Sequence, residues 1–256
     1  MPDNRKPTSI LISGGSSGIG AALARAYASE GVSLALRGRV AARLAQSAQA
    51  CRDLGADVRT ACLDVRERDA MRDWVHEVDD AAPLDLAIAN AGVSGGTGGE
   101  GESDEQRRHI LDVNVDGVIN TLAPSIGRMR VRRRGQVAVM SSLAAFRGFP
   151  GAPAYCASKA CVRVWAEGMR GDLAADGVGV SVICPGYVRS RMTEGNAFPM
   201  PFLMDAEKAA QIVRRGLARN RARISFPWPL VCGVWILNAL PPGWTDRLLA
   251  RMPRKV

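Results

Sequence analysis

The sequence predicts an α/β fold: a doubly wound, three-layer α/β/α parallel sheet of about seven strands, carrying an apolar C-terminal extension. Three observations lead there. Short apolar runs alternate with Ala-rich or amphipathic segments across residues 9–226 without an obvious linker, and this alternation builds parallel sheets through right-handed crossovers. The first run leads into a glycine-rich turn and then a helix, the context a phosphate-binding loop requires. Polar residues able to do chemistry recur just after the apolar runs, at strand carboxyl ends, where such sheets bind ligands. One domain is expected over residues 1–256, with residues 224–256 as the extension.

The first strand is Ser9-Ile10-Leu11-Ile12-Ser13, followed by Gly14-Gly15-Ser16-Ser17-Gly18-Ile19-Gly20 and an Ala-rich helix over 21–29. Glycines let the backbone turn sharply against a phosphate, and the helix N-terminus offers free N–H groups and a positive dipole end. The second strand, 32–36, runs into Arg37-Gly38-Arg39, and no acid stands between residues 31 and 52. An acid near this point binds a ribose 2′-hydroxyl, whereas arginines suit a 2′-phosphate. A helix over 40–54 ends at Gly55, and a third strand, 58–63, delivers Asp64-Val65. A charged amphipathic helix, 67–78, precedes the fourth strand, 84–89, which ends in Asn90-Ala91-Gly92.

The stretch 94–101 holds five glycines and reads as a flexible loop. Ser103-Asp104-Glu105-Gln106 then has the form of a capping box. The helix it opens carries Asn114 in its middle, at a propensity cost that suggests a specific role. The five arginines between 128 and 134 read as a solvated helix end. The fifth strand, 137–140, delivers Ser141 and Ser142, and a helix from Tyr155 runs to about residue 176. The sixth strand, 178–184, closes at Pro185-Gly186; residues 188–204 read as a substrate-side loop, Asp205 as the cap of a helix to about 220, and 224–226 as a seventh strand.

Tyr155-Cys156-Ala157-Ser158-Lys159 organises the rest. On a helix, Tyr155 and Lys159 lie one turn apart on one face. A free phenol titrates near ~10, and an ammonium one turn away favours the phenolate, so the pair can move protons near neutral pH. Ser142 could donate to a carbonyl oxygen held beside the phenol.

Composition narrows the classes. With 47% apolar residues in 256, the chain can bury a large core. A net charge of +9 fits nucleic acid, anionic lipid or a phosphorylated cofactor; aromatics at 5%, not interleaved with basic motifs, argue against nucleic acid. Six cysteines with no CxxC pair and two histidines make a metal site unexpected. Reduced cytosolic thiols are the simpler account. Residues 1–8 lack an apolar h-region, so no secretory signal is expected and a cytoplasmic location is.

The ordered set Gly14-xxx-Gly18-Ile19-Gly20, Asp64-Val65, Asn90-Ala91-Gly92, Asn114, Ser142, Tyr155-xxx-Lys159 and Pro185-Gly186 resembles the classical short-chain dehydrogenase/reductases over residues 8–192. The resemblance implies a Rossmann fold and hydride transfer between a nicotinamide and a hydrophobic ketone or secondary alcohol. It implies Tyr155 as the general acid or base, Lys159 lowering its pKa and holding the nicotinamide ribose, Ser142 orienting the carbonyl, and Asn114 anchoring a water next to Lys159. Gly14, Ser16, Ser17, Gly18, Ile19 and Gly20 would hold the dinucleotide. Asp64 and Val65 would meet the adenine, with Asn90, Ala91 and Gly92 lining the nucleotide. Pro185, Gly186, Val188 and Ser190 would stand on the nicotinamide side. Arg37 and Arg39 make NADP(H) the preferred cofactor over NAD(H), with Arg39, after Gly38, carrying more of the preference. A homo-oligomer, dimer or tetramer, is expected. The chain departs from the family pattern at Ser13, at Ala89 and in its C-terminal segment.

A nucleotide-binding regulatory or scaffold protein on the same fold is the alternative in another class, and a membrane-surface lipid-modifying reductase a third. The third comes from residues 224–245, which carry no charge. Prolines break that stretch, leaving eleven residues, 230–240; at ~1.5 Å each they fall short of a bilayer. The segment is expected to roof the pocket, pack on a partner subunit, or lie in a membrane interface at the inner face of the membrane. In the last case Trp228, Trp235 and Trp244 would sit at headgroup level, with Arg247, Arg251, Arg254 and Lys255 drawing anionic lipid.

Overall fold

The computed structural model describes residues 6–95, 101–194, 196 and 198–250. Residues 96–100 of the glycine-rich loop, and Arg251, Arg254 and Lys255, lie outside the described residues.

In chain order, β1 (Ser9–Ser13) leads to α1 (Gly18–Tyr27), β2 (Ser33–Gly38) to α2 (Ala41–Arg52), β3 (Asp57–Cys62) to α3 (Arg68–Ala81), and β4 (Leu86–Ala89) to α4 (Asp104–Leu111). A π-helical turn, Asp112–Asp116, joins α4 to α5 (Gly117–Arg132). Then come β5 (Gly135–Met140), a 3₁₀ turn (Leu143–Ala145), α6 (Pro153–Ala174), β6 (Val178–Pro185), the short α7 (Arg191–Glu194) and α8 (Ala206–Ala218). β7 (Arg223–Phe226), α9 (Trp228–Ala239) and α10 (Pro242–Ala250) follow. The strands form one seven-stranded sheet in the order β3-β2-β1-β4-β5-β6-β7, and every pairing is parallel.

Helices cover both faces, so the inner strands are apolar on both sides rather than alternating. Ile10, Ile12, Leu34, Leu36 and Ile88 face α1, α2 and α8. Leu11, Ala35, Ala87 and Val139 face the opposite layer of α3, α5 and α6. The strand order reverses between β1 and β4, which places the turns after those two strands side by side at a switch point, the usual ligand crevice of such sheets.

Three local expectations change. The arginines near the end of α5 are not merely solvated. Arg132 grips the buried carboxylate of Asp79 with two hydrogen bonds of 2.6 and 2.9 Å, and Arg128 pairs with Asp80. Asp205 precedes α8 but makes no side-chain cap; Arg189, 2.9 Å away, takes its carboxylate instead. The helix carrying Asn114 is not regular: the residue sits in the π-helical turn, a distortion frequent at functional sites. Ser103, by contrast, caps α4 as its motif requires, accepting from Gln106 N at 3.1 Å.

Candidate active site

The glycine loop is shaped by close approach. Gly14 has φ +70°, and a Cβ there would lie 2.8 Å from Ala91 Cα. A Cβ on Gly20 would lie 2.1 Å from Gly14 O. Both positions therefore exclude any side chain where the start of α1 meets the turn after β4. Asn90 ties the two turns together, its amide donating to Ser13 O (3.2 Å) and Gly14 O (3.1 Å). Ser13 Oγ accepts from the backbone of Asn90 and Ala91. Serine at position 13 thus works as a brace between β1 and β4.

Ser17, at the N-cap of α1, makes no side-chain cap, so the first-turn N–H groups of this helix remain available to an anion. They open onto a cleft of about 660 Å³ whose walls include Ser16, Ser17, Gly18, Arg43, Ser190 and Arg191. Glycine-cradled amides beside arginine and serine side chains fit a dinucleotide's phosphates.

The arginines after β2 separate. Arg39 is exposed beside Gly38, whose Cβ would lie 2.9 Å from Ser16 Oγ. Arg37 is only 2% exposed, and its guanidinium donates to Leu63 O. Burial, partly offset by Asp64, lowers its pKa to about 10. As it stands, Arg37 braces β2 against the turn after β3 rather than facing a phosphate. Arg43, which the sequence reading passed over, lines the cleft, and its buried Nε has no acceptor. Its distance from the Arg37-Gly38-Arg39 turn hid it; its place in the first turn of α2, just past the strand end, was the available signal.

Asp64 accepts from Arg66 N (3.0 Å) and Arg66 Nη2 (2.9 Å), and these bonds hold its carboxyl down at about 2. Val65 is buried under Gly117 and its carbonyl accepts from Asn120 Nδ2 at 2.9 Å, which leaves its N–H as the polar group able to meet a ligand. Ala91 and Gly92 are partly exposed along the same wall.

The proton-handling residues gather where β5 ends. Ser142 Oγ accepts from Ala144 N at 3.1 Å, which fixes its side chain at the start of the 3₁₀ turn, and its hydroxyl works to lower the pKa of the Tyr155 phenol. Lys159 follows one turn along α6, its Nζ 5.9 Å from the Tyr155 ring centre. Nζ donates to Met140 O at 2.9 Å, and burial lowers its pKa to about 8. The Tyr155 pKa is raised by burial, against which the Ser142 hydroxyl works. The expected lowering of the phenol by Lys159 is therefore not seen: the ammonium is turned to the β5 carbonyl, and desolvation dominates.

Asn114 fastens this cluster to the turn after β4. Its Oδ1 accepts from Val93 N (2.8 Å), and its amide donates to Val93 O (2.9 Å) and Ser158 Oγ (3.0 Å). A Cβ on Gly92 would lie 3.1 Å from Asn114 Oδ1 and 3.2 Å from Lys159 Nζ, so the two groups flank one glycine. On the far side, Gly186 N donates to Phe226 O (2.7 Å). Val188 O accepts from Thr193 Oγ1, and Ser190 abuts Gly18. Glu102, also passed over, is buried and accepts from Ala154 N at 2.9 Å. It caps the helix that carries Tyr155, a long-range pairing that no sequence spacing reveals.

A family model described as short chain dehydrogenase matches residues 8–198. A protein of Myxococcus xanthus named an uncharacterized oxidoreductase is 39% identical, covering 94% of this chain and 96% of its own. The 11-beta-hydroxysteroid dehydrogenase 1A of Arabidopsis thaliana is 32% identical, covering 94% of this chain and 74% of its own. Among solved structures, a short-chain dehydrogenase from Sphingobium yanoikuyae in complex with NADPH superposes with a TM-score of 0.80 at 23% identity, over 99% of this chain and 97% of that one.

Proposed function

The chain belongs to the short-chain dehydrogenase family and is an oxidoreductase that uses a nicotinamide cofactor; from that premise we propose that it reduces a hydrophobic ketone with NADPH. The observation that carries the reading is the convergence of Ser142, Tyr155 and Lys159 beside a glycine cradle that tolerates no side chain. A pure nucleotide sensor has no need of a serine hydroxyl, a phenol and an ammonium gathered at that place, which is why the enzyme reading is preferred to the regulatory one.

When bound, the nicotinamide supplies the hydride. The chain's own residues do the rest. Ser142 Oγ donates to the substrate carbonyl oxygen and holds it by the phenol. Tyr155 gives its proton to that oxygen in reduction and takes it back in oxidation. A phenol is protonated at neutral pH, the form that reduction needs, and burial shifts Tyr155 further in that direction. Lys159, with Asn114 next to it, carries the charge that stabilises the phenolate left behind.

Cofactor preference is assigned to Arg39 and Arg43. No acid stands at the end of β2 to receive a free ribose hydroxyl; Arg43 lines the cleft with Ser16, and Arg39 follows Gly38, which packs against Ser16. A charge-assisted hydrogen bond contributes about 1.5–3 kcal/mol, roughly tenfold or more in affinity. The name of the Arabidopsis relative supports a lipophilic substrate class.

The test is cofactor consumption over steroid, acyl, sugar and quinone carbonyls, with dissociation constants for NADPH and NADH. Turnover of an apolar ketone and tighter NADPH are expected. Arg39→Ala and Arg43→Ala should each erode the preference while Arg37→Ala affects stability more. Equal affinity for the two cofactors would refute the assignment, and inertness toward the whole panel would revive the regulatory reading.

A further inference from the structure

We propose that α9, the start of α10 and the arginine-lined groove beside them dock this protein on an anionic lipid bilayer surface. The helix α9 carries no charged residue and none of its residues is buried. Trp228 is 76%, Trp235 68% and Trp244 77% exposed, together with Ile236. A soluble surface rarely leaves such a contiguous apolar patch uncovered. At ~1.5 Å per residue, a helix of this length reaches only about half-way through a bilayer, and among the described residues no helix is long and apolar enough to cross a membrane. Lying flat is the geometry left to it, with indole rings at the level where lipid headgroups meet acyl chains.

The charge beside α9 selects the occupant. A groove of about 490 Å³ runs between α9 and the α8–β7 edge, and Arg215, Arg219, Arg221 and Arg223 line it together with Val234 and Trp235. Arg223 is held by Glu167 and lies over the Phe146 ring. Among the described residues, Arg219 and Arg221 have no ion-pair partner. An apolar, Trp-bearing ridge next to unneutralised arginines matches the chemistry of an anionic interface, apolar below and phosphate-rich above. A second copy of the chain matches it less well, since a two-fold contact through the groove sets each arginine row near its own image.

The patch also reaches the catalytic turn. Leu143, next to Ser142, is part of the groove wall, and a Cβ on Gly186 would touch Leu230 of α9 at 2.9 Å. Docking by this face therefore brings the Pro185-Gly186 side of the cleft to the membrane surface, where a lipophilic substrate would be concentrated. The docking itself does not depend on the assigned reaction.

The test is flotation of the full chain with phosphatidylcholine vesicles and with phosphatidylcholine–phosphatidylglycerol vesicles, alongside its molar mass in solution. Flotation with the anionic vesicles, weakened by salt, is expected. Each basic residue near an anionic surface contributes roughly fivefold, so Arg219→Ala/Arg221→Ala should weaken binding about thirtyfold, and Trp235→Ser should weaken it further. Both variants should keep NADPH binding, which shows that they are folded. No flotation on either vesicle would overturn the proposal, as would equal flotation on neutral vesicles. A stable oligomer that Trp235→Ser converts to monomer, with no flotation of either form, would assign the patch to a second copy instead.

Discussion

Lys159 is the residue where burial and function pull hardest against each other. An unfolded lysine holds its proton to about 10.4, whereas Lys159 in the fold releases it at about 8. Between those values the unfolded chain binds more protons than the native one, so this residue makes stability rise with pH across the window and costs stability below it. Denaturant midpoints from pH 7 to 10 should therefore climb more steeply for the wild type than for Lys159→Met; identical slopes would mean that the ammonium is not desolvated. The same chemistry explains why the Tyr155 phenol is not lowered. The spacing of Tyr155 and Lys159 was legible because four residues make one helical turn. The direction of the Tyr155 shift was not, because it depends on how deeply α6 is buried and on Met140 O, an acceptor from a distant strand. Arg37 and Arg43 teach the same point: charge is visible in sequence, but whether a guanidinium faces a cleft or a carbonyl is decided by packing.

At the scale of elements, the start of α6 decides where Tyr155 sits. Ala152 at its N-cap has no capping side chain, and the carboxylate of Glu102 serves instead. A carboxylate at a helix N-terminus satisfies N–H groups that would otherwise be orphaned and complements the dipole. Glu102→Ala should lower stability by about 1–3 kcal/mol, the usual cost of leaving a buried donor unpaired, and should lower kcat more than it weakens cofactor binding, because the glycine loop is untouched. Glu102→Gln, which keeps an acceptor, should recover most of both. Thermal unfolding with steady-state kinetics decides this, and an Ala variant with unchanged kcat would remove Glu102 from the positioning role. Most element identities were readable from periodicity and punctuation, as at Ser9–Ser13 and at the Ser103 cap. Boundaries were less so: α1 begins at Gly18, three residues before the Ala-rich run that announced it, because the last residues of the glycine motif already form the first turn of the helix. The π-helical turn at Asn114 could not be read, since bonds from its side chain to Val93 and Ser158 are what hold it there.

For the whole molecule, a parallel sheet must keep its crossovers registered, and one buried ion pair helps. Asp79 at the end of α3 accepts from Leu84 N before β4 and from Arg132 at the end of α5, joining two helices of one layer to the sheet beneath them. Breaking a buried pair by removing one partner costs about 3–5 kcal/mol. Arg132→Met should show a loss of that size in chemical denaturation, and Asp79→Asn/Arg132→Met should restore part of it. A loss under 1 kcal/mol, the range of exposed pairs, would show the clasp to be ornamental. The doubly wound parallel sheet followed from strand–helix alternation; the switch point between β1 and β4 did not, because strand order is set by how the helices pack across the sheet.

The central claim is that Tyr155 handles the proton while the glycine loop and arginines hold the cofactor, and the most direct measurement separates those two tasks. Wild type and Tyr155→Phe are titrated with NADPH by fluorescence, then mixed with the best ketone from the panel while nicotinamide oxidation is followed. The account predicts NADPH affinities within a few-fold of each other and a rate about 10²–10⁴-fold lower in the variant. A Phe variant that turns over within threefold of wild type would contradict it.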